Sequence, residues 1–404
     1  MLVLALVMAG ACVAQAFGRF TYGVVLPAVR DDMLGSNRAA GLLGTVNVAA
    51  YLAGTVVVAT LSTRLALVVL IRAGLCLSTG GLLLASVAGN PAVLSVALVA
   101  MGLGGAAIWI PSPRVASGAL PPRRRGLAAG LIGMGIGVGI VFAGWLADAQ
   151  RDGEGDEGWR NVYRVEGLIG IAVLLAAVVL LRHREDESAA SPPAGPAGAG
   201  GFGALRRIHG WRALTLAYAA FGFMYLLVFA FLVARLEDDA GFAADRASAM
   251  FSLVGVAAIF GGILLGPLSD RIGRRATMVG AFLTFGASSL AVLPGHQPWV
   301  VIGVIGVGVT FSGLPAVIAA YVVDATDAVT YGPAYSAATL AFGVAQMCAP
   351  QVGGFIADAQ GSFTPVFLLS AAVSVAGAFL SSRLPDPRRT AVAAPDGALV
   401  APDP

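Results

Sequence analysis

Charged and strongly polar side chains are rare inside the long apolar runs of this chain, so each one found there is a candidate for chemistry. Arg19 stands in the stretch ACVAQAFGRFTYG, with Gln15 four residues before it and Tyr22 three after, on one face if the stretch is helical. A guanidinium presents five donors in a rigid fork that matches a carboxylate, so this face reads as a binding place for an anionic group. The structural alternatives are a pair with Glu166 or a side chain that extends out of the apolar run. Arg114, in WIPSPR, is the second such cation, suited either to the far end of a cavity or to the edge of its run. Glu166 is the one clear acid within a run, since Asp148, Asp324 and Asp358 fall at run ends and the three His lie in loops. It is the expected carrier if a proton takes part, and an ion pair with Arg19 or Arg164 is its structural alternative. Asn47 and Tyr51, four apart, join Trp109, Tyr225, Tyr335 and Gln346 in sketching a mostly apolar cavity with a few polar groups. No His, Cys, Asp or Glu set has metal-ligand or nucleophile–base spacing. The run Gly133-Met-Gly135-Ile-Gly137-Val-Gly139 lacks the strand that must precede a nucleotide loop. Neither an enzyme, a metal site nor a cofactor is expected.

The elements that must position these residues follow from composition. Of 404 residues, 58% are hydrophobic and only 12% charged, and the mean hydropathy is +0.85. A water-soluble surface needs about twice that share of charge, so the chain reads as an all-α integral membrane protein. Twelve apolar runs reach the roughly 20 residues that a bilayer helix requires. They fall near 2–28, 39–61, 65–88, 92–116, 127–148, 161–181, 212–234, 245–267, 276–294, 299–323, 332–356 and 363–383. Alternating ten-residue segments of the barrel type are missing. All 25 basic residues are Arg, and a net charge of +3, dispersed along the chain, gives no footing for nucleic acid. Cys12, Cys76 and Cys348 fall within spans at no ligand spacing and are expected to be buried free thiols.

The first run poses a choice between an export signal, ending at Ala14-Gln15-Ala16, and a first span. Loop charges decide it. With the N-terminus cytoplasmic, the inner loops and tail hold sixteen Arg and the outer loops seven, which places both termini in the cytoplasm. A signal peptide carries positive charge ahead of its apolar core, and here nothing basic precedes it. Removing it would also leave an odd number of spans. The short lead before Val3 fits a start codon lying upstream.

Between Arg182 and Arg212 runs an Ala/Gly/Pro/Ser segment that reads as a flexible cytoplasmic linker. It divides the chain into a six-helix unit over 1–181, a linker over 182–212, a second six-helix unit over 213–383, and a disordered tail over 384–404. The halves repeat. GLAAGLIGMGIGVGIVFAGWLADAQ at 126–150 aligns without gaps to SAATLAFGVAQMCAPQVGGFIADAQ at 336–360, and Val48-Ala49-Ala50 with Gly54 echoes Val256-Ala257-Ala258 with Gly262. Two parallel repeats around a central cavity are one of the known transporter architectures.

Gly266-Pro-Leu-Ser-Asp270-Arg271-Ile-Gly273-Arg274-Arg275, between spans 8 and 9, resembles the loop signature G-x-L-a-D-r-x-G-r-R/K of the major facilitator superfamily. The resemblance covers essentially the whole chain. It implies two pseudo-symmetric six-helix bundles, and an Asp270 latch between the halves. The first-half counterpart, Ala59-Thr-Leu-Ser62-Thr63-Arg64, keeps the Arg but lacks the Asp. In span 5, Gly126, Gly135, Gly139, Ala143 and Gly144 are similar to the antiporter motif G-x8-G-x3-G-P-x2-G-G, with Ile140 in place of Pro. Span 11 keeps the complementary piece, Pro350 with Gly353 and Gly354. Leu98 stands where the superfamily pattern of span 4 has an Arg linked to proton transfer, which weakens that relay. The opening AFGRFTYG, with Leu26-Pro27 and the stretch from Gly41 to Tyr51, resembles the YbfB/YjiJ-like branch.

These features point to a monomeric secondary transporter of the bacterial inner membrane, working by alternating access on a small organic anion or amphipathic solute, with or without a proton or counter-ion. The rival readings are a multidrug/proton antiporter and, from another class, a receptor or scaffold that keeps the fold without transporting.

Overall fold

The computed structural model describes residues 2–62, 64–118, 125–154, 158–181, 199–326 and 330–385. Most of the expected linker, the expected tail from 386 on and Pro121–Arg124 lie outside them. Among the described residues, twelve long helices follow one another and there is no strand. They are span 1 Leu2–Leu34, span 2 Asn37–Leu61, span 3 Leu67–Ala85, span 4 Pro91–Trp109, span 5 Arg125–Glu154 and span 6 Trp159–Leu180. The second half repeats the set as span 7 Trp211–Asp239, span 8 Ala244–Ile272, span 9 Arg274–Ala291, span 10 Trp299–Asp324, span 11 Tyr331–Gln360 and span 12 Thr364–Ser382. Eleven of them are long and apolar enough to cross a membrane by length and composition. Span 9 is the twelfth, shorter and opening on two arginines.

Local signals set the ends. Ser36 caps span 2 by accepting from the amide of Ala39 at 3.2 Å, and Asn90 caps span 4 by accepting from Val93 at 3.0 Å. Gly273 has φ +94° between spans 8 and 9, a conformation that a side chain would strain, and so lets the chain reverse within one residue.

Within each half, small residues let helices touch backbone to backbone. Gly102 of span 4 lies against the backbone of Asn47 and Tyr51, and Gly104 against Ser78 of span 3. The second half repeats this: Gly308 of span 10 meets Val254 of span 8, and Gly303 meets Ser288 of span 9.

Three expectations need correction. Span 4 is not continuous to 116: it stops at Trp109 and resumes as a short helix, Ser112–Gly118, because Pro111 has no amide to donate. Part of the expected flexible linker is ordered: Ala199–Arg207 is helical, and Leu205 and the following Ile208 are buried. Cys12 is only half-buried, while Cys76 and Cys348 are exposed; a bundle that faces lipid has no need to cover apolar side chains.

The halves meet along spans 1 and 7, 2 and 11, and 5 and 8. Among the described residues they are tight at the end carrying Leu34, Asp239 and Gln360, and they part toward the other. Gly144 and Gly137 of span 5 press on Ser252 and Ile259 of span 8, whereas Gly133, next on the same stripe, meets nothing within 4 Å. On span 8 the stripe continues to Gly262 and Gly266, which are equally open.

Candidate functional site

Where span 1 runs between the halves, Cys12–Phe20 is wound as a π-helix, so the amide of Thr21 reaches back to the carbonyl of Ala16. Wide turns of this kind recur at functional sites because they re-aim side chains. Arg19 belongs to this segment and is half-buried. Its Nη1 donates to Gln15 Oε1 at 3.1 Å and its Nη2 to Gln346 Oε1 at 2.8 Å. The guanidinium carbon stands 4.4 Å from the centre of the Tyr51 ring and 5.9 Å from that of Phe20. Gln346 then donates through Nε2 to the hydroxyl of Tyr225, and Gln15 through its own Nε2 to the Gly105 carbonyl at 3.4 Å. Five residues expected at the site, Gln15, Arg19 and Tyr51 from the first half with Tyr225 and Gln346 from the second, therefore form one cluster.

The cation in this cluster has neutral acceptors only. Among the described residues no carboxylate pairs with Arg19, and its Nε is buried without a partner. Amide oxygens and a ring face offset part of the desolvation of a guanidinium, and a negative charge would offset more. Arg19 also lines a small cleft with Phe20, Gly44, Leu226, Phe229 and Pro350, on the side of the closed end.

Other expected residues are placed differently. Asn47 donates from Nδ2 to the carbonyls of Gly18 at 3.0 Å and Leu98 at 2.9 Å, tying spans 1, 2 and 4. Tyr22 donates to the Ala40 carbonyl at 2.8 Å. Trp109 packs half-buried on the core at the end of span 4. Tyr335 stands toward the open end, its hydroxyl 3.2 Å from that of Tyr218. The side chain of Arg114 lies outside the described residues.

Glu166 is fully buried, and its partner is not an arginine. Its Oε1 accepts from the Thr21 hydroxyl at 2.7 Å, while Oε2 and the nearby Tyr163 hydroxyl have no partner. Arg164 is exposed. Thr21 follows Arg19 by two residues and so points away from it around the helix, which keeps the acid inside the first half and the cation between the halves.

The motif residues divide by direction. Gly135 and Gly139 of span 5 admit the backbone of Met8 and the side chains of Cys12 and Ala16, so they pack span 5 on span 1. Gly353 admits Phe231 of span 7 in the same way, while Gly144 and Gly354 face the opposite half, against Ser252 and Asn37. Pro350 covers Gly41 and Gly44. Asp270, expected to latch the halves, forms an ion pair with Arg274 at 2.7 Å, and Arg274 also bonds Asp324 at 2.9 Å and Ser269 at 2.5 Å. This ties spans 8, 9 and 10 of one half, at the end where the halves stand apart. Gly266 meets no neighbour, and Arg271 and Arg275 are exposed beside Gly273.

Contacts that sequence reasoning did not single out close the other end. Arg30 bonds Asp238 of span 7 and donates to Asn37 at 3.1 Å. Asp358 accepts from the amides of Asn37 at 2.9 Å and Arg38 at 2.7 Å, capping span 2 from the opposite half. The repeated Ala-Asp-Ala-Gln was the available signal, since it puts an acid at the matching end of spans 5 and 11.

A family model described as "Uncharacterised MFS-type transporter YbfB" matches residues 11–382. Among curated proteins, the chain is 37% identical over 108 residues to a probable actinorhodin transporter of Streptomyces coelicolor, covering 26% of this chain and 18% of that protein. It is 26% identical over 305 residues to monocarboxylate transporter 6 of Homo sapiens, covering 67% of this chain and 59% of that protein. The alignments thus span less than two thirds of either relative. Among solved structures, a bacterial homologue of the human lysosomal transporter Spinster, inward-facing and occupied, superposes with TM-score 0.77 at 19% identity, over 95% of this chain and 96% of that one. A D-xylose–proton symporter superposes with TM-score 0.75 at 14% identity, over 96% and 98%.

Proposed function

The chain belongs to the YbfB-type family of major facilitator superfamily transporters, and on that premise we propose that it moves a small organic anion across the cytoplasmic membrane by alternating access. The observation that carries this is Arg19: a half-buried cation between the halves, held by Gln15, Gln346 and Tyr51, with no carboxylate partner among the described residues. A carboxylate at this guanidinium would replace amide acceptors with charge-assisted bonds. Because its holders come from both halves, binding there bears on how the halves meet. The name of one relative, a monocarboxylate transporter, agrees with an anionic substrate.

With both termini cytoplasmic, as the arginine bias has it, the closed end faces outward and the site opens inward. Glu166 is our candidate for proton coupling, being buried, joined through Thr21 to the span that bears Arg19, and unbonded at Oε2.

The test is a thermal-shift and binding screen of the purified protein with organic anions, cations and neutral compounds, repeated on Arg19→Gln. Stabilisation by anions that is lost in the variant supports the reading. Equal stabilisation of both forms by cationic drugs overturns it in favour of multidrug efflux.

A further inference from the structure

The wall leading from the open end to Arg19 is built of rings that lie almost in one orientation. Tyr331 and Tyr335, one turn apart at the start of span 11, stack with centroids 5.7 Å apart and planes 9° apart. Tyr335 and Tyr218 follow at 6.0 Å and 23°, then Tyr218 and Phe342 at 4.6 Å and 24°. Phe342 and Phe221 continue at 5.8 Å and 14°, and Phe221 and Tyr225 at 5.1 Å and 25°. The last ring, Tyr225, carries the hydroxyl that Gln346 bonds while its Oε1 holds Arg19.

Beyond Tyr225, toward the closed end, several contacts turn edge-on: Tyr225 to Phe229 is 78°, Phe229 to Phe251 is 77°, and Phe20 to Phe311 is 90°. Aromatic packing allows both arrangements, so the aligned series is a feature of the open-end wall alone and not of aromatic content. Rings nearly parallel with centroids this far apart are offset; Tyr218, Phe221 and Tyr225 are buried, and the remaining three leave part of a face uncovered. Phe342, Tyr335 and Tyr331 are accordingly only half-buried.

We propose that the substrate is a carboxylate borne on a flat aromatic ring system, the carboxylate held by Arg19 and the ring laid along the aligned series centred on Phe342. The inference rests on the anion reading above and adds the shape of the rest of the molecule. The paired hydroxyls of Tyr218 and Tyr335 offer polar partners to substituents at the far edge of the ring. Aromatic cations are disfavoured by Arg19, and saturated acids of equal size forgo the stacking.

The test uses the purified full-length protein and three probes: 2-naphthoate, its saturated counterpart decahydro-2-naphthoate, and neutral 2-naphthamide. The expected result is naphthoate bound ~5-fold or more tightly than the saturated acid, the scale of one or two aromatic contacts. Phe342→Leu should bring that ratio toward one, and Phe342→Tyr should keep it. The wild-type ratio is itself a readout, so the test survives a poorly folding variant. Equal binding of the two acids, with both lost in Arg19→Gln, overturns the aromatic inference and leaves the anion reading standing. Naphthamide binding as well as naphthoate, unchanged by Arg19→Gln, overturns the anion reading. Failure of all three to bind overturns both.

Discussion

The guanidinium of Arg19 and the side-chain amide of Gln346, 327 positions apart in the chain, meet at 2.8 Å across the junction of the two halves. Gln346 is thereby both a partner of the cation and a link to Tyr225. A ligand anion arriving at Arg19 must compete with this amide, so the contact ties occupancy of the site to the position of span 11.

Removing the cation should remove anion binding. Hydrogen bonds to charged groups contribute about 1.5–3 kcal/mol, so Arg19→Gln should weaken an anionic ligand by roughly 10-fold to 100-fold. Gln346→Ala should have a smaller effect on affinity and a larger one on transport rate. Calorimetry on detergent-purified protein, beside uptake into proteoliposomes, separates the two.

Asn47 should prove structural. Its amide gives two helical backbone carbonyls on spans 1 and 4 a further bond, and each lost hydrogen bond costs about 0.5–1.5 kcal/mol. Asn47→Ala should therefore lower the melting temperature while leaving the ranking of ligands unchanged. A changed ranking at wild-type stability would instead move Asn47 into the binding site.

The closed end should open when Asp358 is neutralised. Its carboxylate caps span 2 from the other half, and caps contribute about 0.5–2 kcal/mol. Asp358→Ala should raise the population open at this end by roughly 2-fold to 30-fold. Spin labels placed beyond Gly35 and Gly361 report it as a longer distance component.

Gly41 should tolerate no larger residue. A Cβ there would collide with the carbonyl of Pro350. Gly41→Val should hold this end apart, with full expression but little transport, whereas the same change at Gly80, which meets nothing within 4 Å, should be neutral. Uptake assays on matched membrane amounts compare the two.

Glu166→Gln keeps an acceptor for Thr21 but carries no proton. If Glu166 couples transport to protons, flux in this variant should lose its response to an imposed pH gradient while binding of the substrate persists. Wild-type, gradient-driven accumulation in Glu166→Gln would remove Glu166 from the proton path.

Much of the architecture was legible in the residues. The number of spans, the six-plus-six repeat and the Gly273 reversal follow from run length, spacing and backbone freedom, which are local properties. So does the singling out of Arg19, because a charge in an apolar run stands out without knowledge of its neighbours. What Arg19 and Glu166 bind did not follow, since both structural alternatives paired them with each other or with Arg164, and the fold gave the acid Thr21 instead. Nor could spacing tell Asn47, which staples helices, from Gln346, which meets the cation: both are amides in apolar helices, and only the facing helix distinguishes them. Nor did spacing show that Asp358, the acid of the repeated Ala-Asp-Ala-Gln, reaches across to the amides of Asn37 and Arg38 in the opposite half. Partners contributed by distant segments depend on how helices are rotated and packed. One chain's periodicity leaves that open, and the tertiary structure decides it.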